Sequence, residues 1–273
     1  MAYCQLNLLF SIRIFIAVMQ FEIFIVNGEP QVPCYFIFGD SLVDSGNNNK
    51  LVTRAKANYP PYGIDFPQGV TGRFTNGRTI ADIIVNIGSN DYINNYLMPT
   101  IYTTSHKHTP YEYATLLTRQ YARQLKTLYD LGGRKIVVFG LGPVGCTPAE
   151  ISIFGTDGSP CVESINDAVR QFNDKLKPLI HELNHENPDA RFTFINLTSI
   201  SSLQEGIRLS NVPCCKVRVD GQCAQNALVC PDRAMSVYYD GFHPTEVATV
   251  LIASTSYTAL SPMDASPYDI SQL

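Results

Sequence analysis

Three short runs carry side chains suited to acyl chemistry. Gly39-Asp40-Ser41 follows directly on the apolar run Cys34–Phe38, which reads as a strand, and open α/β sheets present reactive groups in the crevice beyond the carboxyl ends of their strands. A serine hydroxyl there is placed to act as a nucleophile, although Val43 stands where the G-x-S-x-G elbow needs its second glycine. Without a base, the same serine is an N-cap or turn residue. Asp240-Gly241-Phe242-His243 offers that base: a neutral imidazole takes the hydroxyl proton while a carboxylate three residues earlier fixes its tautomer. Taken alone, the pair is a solvated loop histidine beside an unrelated aspartate. Gly88-Ser89-Asn90-Asp91 follows a second strand-like run. The Asn90 side chain is either a donor to a developing oxyanion or a turn former.

Groups 50 to 200 residues apart in sequence meet only on a rigid frame. Strand-like apolar runs recur at Cys34–Phe38, Ile83–Ile87, Lys135–Phe139 and Arg191–Asn196, with helical stretches between the later ones. This alternation predicts an α/β fold with a parallel sheet. The helices are expected over Tyr111–Leu131, which stops at Gly132-Gly133, over Val162–Asn187, with a kink at Pro178, and over Thr245–Tyr257, after His243-Pro244. At 273 residues, 45% hydrophobic and 16% charged, the chain has ample material for a core. Its 20 basic and 24 acidic residues give a net charge of −4, which lacks the footprint of a nucleic-acid binder. No repeat, charge block or linker divides it, so one domain is expected. One junction is out of pattern. Thr79–Ile84 looks like the start of a helix, yet it runs into the strand-like Val85–Ile87 with no turn residue between, where about 2–6 connecting residues are usual.

Four blocks in order carry a resemblance. Phe38-Gly39-Asp40-Ser41-Leu42-Val43-Asp44-Ser45-Gly46-Asn47-Asn48, Gly72-Arg73-Phe74-Thr75-Asn76-Gly77-Arg78, Gly88-Ser89-Asn90-Asp91-Tyr92 and Asp240-Gly241-Phe242-His243-Pro244-Thr245 closely resemble the plant GDSL esterase/lipase family, a branch of the SGNH hydrolases. Gly140–Pro148 and Asn211–Cys215 also look like family segments. The resemblance implies a flavodoxin-like three-layer α/β/α fold and hydrolysis of carboxylic esters through an acyl-enzyme, with no cofactor and no metal. It implies Ser41 as nucleophile, His243 as base and then acid, and Asp240 orienting His243. The oxyanion hole would use the Ser41 N–H and the Asn90 side chain. The family's second-block glycine has no counterpart here, and its segment, with a strand and helices around it, is expected between Ile84 and Val85, as an internal deletion. The alternative is a catalytically impaired extracellular binding paralogue with an incomplete oxyanion hole.

Targeting and redox chemistry point outside the cell. Residues 1–28, apolar from Leu6 to Val26 and ending at a small residue, read as a secretory signal peptide, leaving 29–273 as the hydrolase domain. A membrane anchor is the rival, but Arg13 and Glu22 interrupt the run, and a charge at mid-bilayer costs roughly 2.5–3.5 kcal/mol. The expected partner is an ester substrate, with no nucleic acid and no stable membrane insertion after cleavage. Cys146 and Cys161 flank a loop suited to a disulfide, and Cys214, Cys215, Cys223 and Cys230 form a cluster that can hold two more or, less well matched, a zinc ion. The sequon at Asn196 is a glycosylation acceptor.

Three patterns compete for attention. His181-Glu182-Leu183-Asn184-His185 matches the H-E-x-x-H zinc motif. At 100° per residue, however, both histidines fall opposite the apolar stripe of Phe172, Leu176, Leu179, Ile180 and Leu183. Gly140–Gly145 matches G-x-G-x-x-G, but Pro143 and Pro148 spoil the helix opening that a dinucleotide site needs. Tyr92, Tyr96, Tyr102, Tyr111 and Tyr113 read as a half-buried surface layer or as the lining of a substrate pocket.

Overall fold

The structure is a computed structural model that describes residues 36–82, 89–202 and 211–273. Contacts divide the chain after Phe36, and Ile37–Leu273 forms one unit. Residues 1–28, expected to be a leader, Cys34, the strand-like run Ile83–Ile87 and the junction Ile84–Val85 lie outside the described residues.

The frame is a small sheet with helices on both faces. Strand β1 (Lys135–Phe139) runs parallel to β2 (Arg191–Ile195), with Lys135 opposite Arg191 and Phe139 opposite Ile195. A two-residue strand β3 (Ala265–Ser266) pairs antiparallel with β2, so the order is β1-β2-β3. The sheet is therefore mixed, not purely parallel as expected. Two residues are too few to show a period of two, and β3 exists only because the C-terminal segment returns along β2.

Alternation along the strands sorts the core into two layers. Ile136, Val138, Phe192 and Phe194 face helices α1 (Pro110–Asp130) and α2 (Glu163–Glu186). Val137, Phe139 and Ile195 face Ile252 and Ala253 of α3 (Glu246–Tyr257), together with Leu197 and Ile200 of the short helix Leu197–Ser202. The apolar stripe of α2 is buried as the periodicity requires, and His181 and His185 are exposed on its other side. Helix α2 continues through Pro178. Pro178 and Asp174 lie on the exposed face, where water can serve the carbonyl that the proline leaves unpaired.

Helix ends follow local chemistry. The Thr109 hydroxyl accepts from the Glu112 N–H while the Glu112 carboxylate accepts from the Thr109 N–H, a reciprocal capping box that starts α1 with Pro110 at its first position. Gly132, in the left-handed region at φ 104°, follows its C-cap. Thr245 caps α3 by accepting from the Ala248 N–H.

One expected strand is described only in part. Ile37 and Phe38, the part of Cys34–Phe38 inside this unit, pair with no strand among the described residues, and Phe38 is exposed. An apolar run becomes a strand only where a neighbour takes its N–H and C=O groups. The disulfides are Cys146–Cys161, Cys214–Cys230 and Cys215–Cys223. The last two sit in a separate small core with Ala57, Tyr62, Phe74 and Tyr239. Among the described residues, no helix is long and apolar enough to cross a membrane.

Candidate active site

Ser41 sits in a tight turn after Gly39, not at the start of a helix. The Asp40 carboxylate accepts from the Leu42 N–H at 3.0 Å, and the Asp40 carbonyl accepts from the Val43 N–H at 3.1 Å. The following loop is wound around Asp44, whose carboxylate accepts from the Gly46 and Asn47 N–H groups at 2.7 and 2.6 Å. Gly46 is needed there. Its φ is 120°, and a Cβ would lie 2.3 Å from the Thr71 carbonyl oxygen. That close approach, with the Asn49 amide donating to the same carbonyl at 2.7 Å and a bridge between Ser45 and Arg73, ties the serine loop to the Gly72–Arg78 block.

The same block holds the histidine. Thr75 donates its hydroxyl to the Pro244 carbonyl at 3.0 Å, the Asn76 side-chain oxygen accepts from the Glu246 N–H at 2.9 Å, and the Phe74 ring lies 4.9 Å from the His243 ring. From the other side, the Tyr239 N–H donates to the His243 carbonyl at 2.8 Å, and the Ala149 N–H to the Gly241 carbonyl at 3.0 Å. His243 is thus buried in a loop fixed from both directions.

These ties bring Ser41 within hydrogen-bonding distance of His243 across 202 positions of sequence: Oγ lies 2.7 Å from Nε2. On the far side of the ring, Nδ1 lies 2.9 and 2.8 Å from the two oxygens of Asp240. A carboxylate only accepts, so Nδ1 carries the proton and Nε2 is left to accept from the serine hydroxyl. Asp240 is fully buried and also accepts from the Phe242 and His243 N–H groups and, at 2.7 Å, from the Tyr62 hydroxyl. Burial, the largest influence on His243, favours the neutral ring. The charge and hydrogen bond of Asp240, with the charge of Asp40, outweigh it and hold the imidazole above its ordinary value. Burial likewise pushes the Asp40 carboxyl up.

Asn90 stands in the helical turn Ser89–Asp91, exposed, with its side-chain oxygen accepting from the Asn94 amide at 2.6 Å. That bond fixes the flip of the amide and leaves its nitrogen as the donor end. Asn90, Ser41 and His243 line one cavity of about 1100 Å³, walled on its apolar side by residues such as Leu42, Ile80, Ile93 and Val144. The five tyrosines after Asn90 do not line it. Tyr92, Tyr96 and Tyr113 are buried against one another, with centroids 4.7–6.1 Å apart, while Tyr102 and Tyr111 are exposed. The expectation of a half-buried layer or pocket lining gives way to core packing for three of them.

Asn196 is half-buried at the end of β2. Its amide donates to the Met263 carbonyl at 3.1 Å, and its side-chain oxygen accepts from the Ser199 N–H at 3.3 Å. Gly140–Gly145 opens only the single turn Val144–Cys146, which has too few N–H groups in line to cradle a pyrophosphate. The residues that sequence reasoning missed are the supports: Tyr62, Phe74, Thr75 and Asn76. Three of the four belong to the Gly72–Arg78 block, whose resemblance was legible but whose role was not.

Similarity to known proteins agrees with this geometry. The family model described as GDSL-like Lipase/Acylhydrolase matches residues 83–255, which contain Asn90, Asp240 and His243. GDSL esterase/lipase At4g18970 of Arabidopsis thaliana is 36% identical over 340 aligned positions, covering 91% of this chain and 94% of its own length. GDSL esterase/lipase At1g29670 of the same plant is also 36% identical, over 93% of this chain and 94% of its own length. GDSL esterase/lipase At2g19050, again from Arabidopsis thaliana, is 38% identical over 89% of this chain and 91% of its own length. With the serine of the first block and the aspartate of the last each in contact with the histidine, and relatives matched over nearly their whole length, this chain belongs to the GDSL lipase/acylhydrolase family.

Proposed function

We propose that this carboxylic ester hydrolase works through an acyl-enzyme on Ser41, with His243 as base and then acid and Asp240 as the group that orients His243. The observation that carries the reading is the unbroken line Ser41 Oγ, His243 Nε2, His243 Nδ1, Asp240, with each contact between 2.7 and 2.9 Å. As Ser41 Oγ attacks the ester carbonyl carbon, its proton passes to His243 Nε2. The imidazolium formed is stabilised by Asp240 and returns that proton to the departing alkoxide. Water, deprotonated by the same nitrogen, then attacks the acyl carbon; the bond to Ser41 Oγ breaks, Oγ takes the proton back from His243, and the acid is released. The Ser41 N–H and the Asn90 amide are the oxyanion donors. The apolar wall of the cavity supports an acyl chain as the part of the substrate it holds.

The frame includes the three-layer α/β/α arrangement, supported by helices on both faces of the sheet, and an internal deletion relative to the family. About 248 residues of this chain, 91% of 273, are spread over 340 aligned positions, so about 90 positions have no residue opposite them. This favours a second reading, an impaired paralogue lacking one oxyanion donor. Such a loss lowers turnover about 10²–10³-fold. Secretion after removal of 1–28 is part of the proposal, supported by three disulfides. Use of Asn196 as a glycan acceptor is tested by the mass of the secreted protein before and after glycosidase.

Labelling by a fluorophosphonate, compared between the parent and Ser41→Ala, tests the nucleophile. Labelling and p-nitrophenyl ester turnover that vanish in Ser41→Ala are expected. A folded parent that neither labels nor turns over ester leaves the binding paralogue as the better reading.

A further inference from the structure

Asp240 has four donors, and three of them come from its own loop: the N–H groups of Phe242 and His243 and the His243 ring. The fourth, Tyr62, is 178 residues away in sequence. Its hydroxyl donates to Asp240 Oδ2 at 2.7 Å and accepts from the Cys223 N–H at 3.0 Å. The acceptor site of the hydroxyl is therefore filled by a backbone donor, and its proton is directed to the carboxylate.

That backbone donor is itself held. Cys223 is fully buried, bonded to Cys215, and the Cys215 N–H donates to the Tyr239 carbonyl at 3.1 Å, one residue before Asp240. The Tyr62 ring is 1% exposed and boxed edge-on by Tyr59, Phe74 and Tyr239 at centroid distances of 5.4, 6.0 and 5.9 Å. Burial, with the charge of Asp240 beside it, pushes the phenol far above its ordinary value and so favours the protonated hydroxyl, the form that donates.

Oδ2 is also the oxygen nearest to His243 Nδ1, at 2.8 Å. A donor on that oxygen does two things. It stops the carboxylate from rotating about its Cβ–Cγ bond, and it draws off part of the negative charge that the imidazole proton feels. We propose that Tyr62 is a positioning residue of the catalytic apparatus, acting through Asp240 on both the orientation and the basicity of His243. The proposal rests on the reading of Ser41, His243 and Asp240 given above.

The sign follows from charge. Without the Tyr62 hydroxyl, Asp240 presents more of its charge to His243, the imidazolium is favoured, and the acid limb of kcat/KM moves to higher pH. The orienting hydrogen bond is lost as well, so kcat falls while substrate binding, which Tyr62 does not touch, is unchanged.

The test is Tyr62→Phe, which keeps the ring and removes only the hydroxyl. Three quantities are measured beside the parent and Ser41→Ala: kcat and KM on p-nitrophenyl butyrate, their pH profiles, and the His243 titration by NMR. A fall in kcat of about tenfold is expected from one hydrogen bond to a charged group, with KM within about twofold and both the acid limb and the His243 titration displaced upward by about half a pH unit. A merely structural role would lower the melting temperature and leave the pH limb where it was. The proposal is overturned if Tyr62→Phe matches the parent in kcat, acid limb and His243 titration while Ser41→Ala is inactive. Parent-like turnover by Ser41→Ala would overturn the catalytic reading itself. The NMR titration decides the matter for Tyr62 even if the parent turns over slowly.

Discussion

Replacing Glu150 by glutamine should stabilise this protein at pH 8 and leave its stability unchanged at pH 4.5. Glu150 lies in the helix Pro148–Phe154, is 2% exposed, and its Oε2 has no hydrogen-bond partner among the described residues. Thr147-Pro148-Ala149-Glu150 has the spacing of a capping box, as Thr109–Glu112 does. Here, however, no side-chain cap forms, and the Thr147 hydroxyl is also buried without a partner among the described residues. Burial pushes the Glu150 carboxyl from 4.5 up to about 7. A raised folded-state value means that the folded protein binds this proton more tightly than the unfolded chain. The associated stability is full below pH 4.5 and is lost as pH rises through 7. The difference of 2.5 pH units, at about 1.4 kcal/mol each, caps the loss at about 3 kcal/mol; residual hydration of the carboxylate brings the expected figure to about 2 kcal/mol. Glu150→Gln keeps the shape and removes the charge. Urea unfolding of both proteins, disulfides intact, should give equal stabilities at pH 4.5 and a glutamine advantage of about 2 kcal/mol at pH 8. An advantage of the same size at both pH values would refute the linkage. The helix also touches the candidate active site, because its Ala149 N–H holds the Gly241 carbonyl.

Two further substitutions probe the chemistry. Asp240→Asn removes the charge that favours the imidazolium and confuses the tautomer of His243, so kcat should fall about 10³-fold or more and any residual acid limb should move to lower pH, opposite in sign to Tyr62→Phe; an unchanged limb in stopped-flow pH profiles would count against Asp240 as the orienting group. Asn90→Ala removes a side chain on the exposed rim of the cavity and should lower kcat about 10²-fold with KM little changed, whereas steady-state kinetics within a factor of three of the parent would remove Asn90 from the oxyanion hole.

Which parts of this molecule were legible depends on how far each depends on distant partners. The Asp240–His243 pair was readable because its geometry is local: three residues of loop place the Asp240 carboxylate on its own downstream N–H groups as well as on the imidazole. The stripe of α2 was readable because a period of 3.6 needs no partner to be seen. Ser41 was legible as a residue type in a turn, and its partner only by chemical necessity. The run Cys34–Phe38, described only from Phe36 on, shows no strand pairing there, because apolarity is local and pairing needs a neighbour. Tyr62, Thr75 and Asn76 gave no signal of their own, since each acts on residues about 170 positions later. Those same long-range ties explain how the site holds its form on so small a sheet. Ser41 is fastened to the Gly72–Arg78 block, that block to Pro244 and Glu246, and Asp240 to Tyr62 and through it to Cys223. None of these ties runs through β1, β2 or β3. Ser41, His243 and Asp240 are thus held in register by ties between loops and, through Tyr62 and Cys223, by the Cys215–Cys223 disulfide.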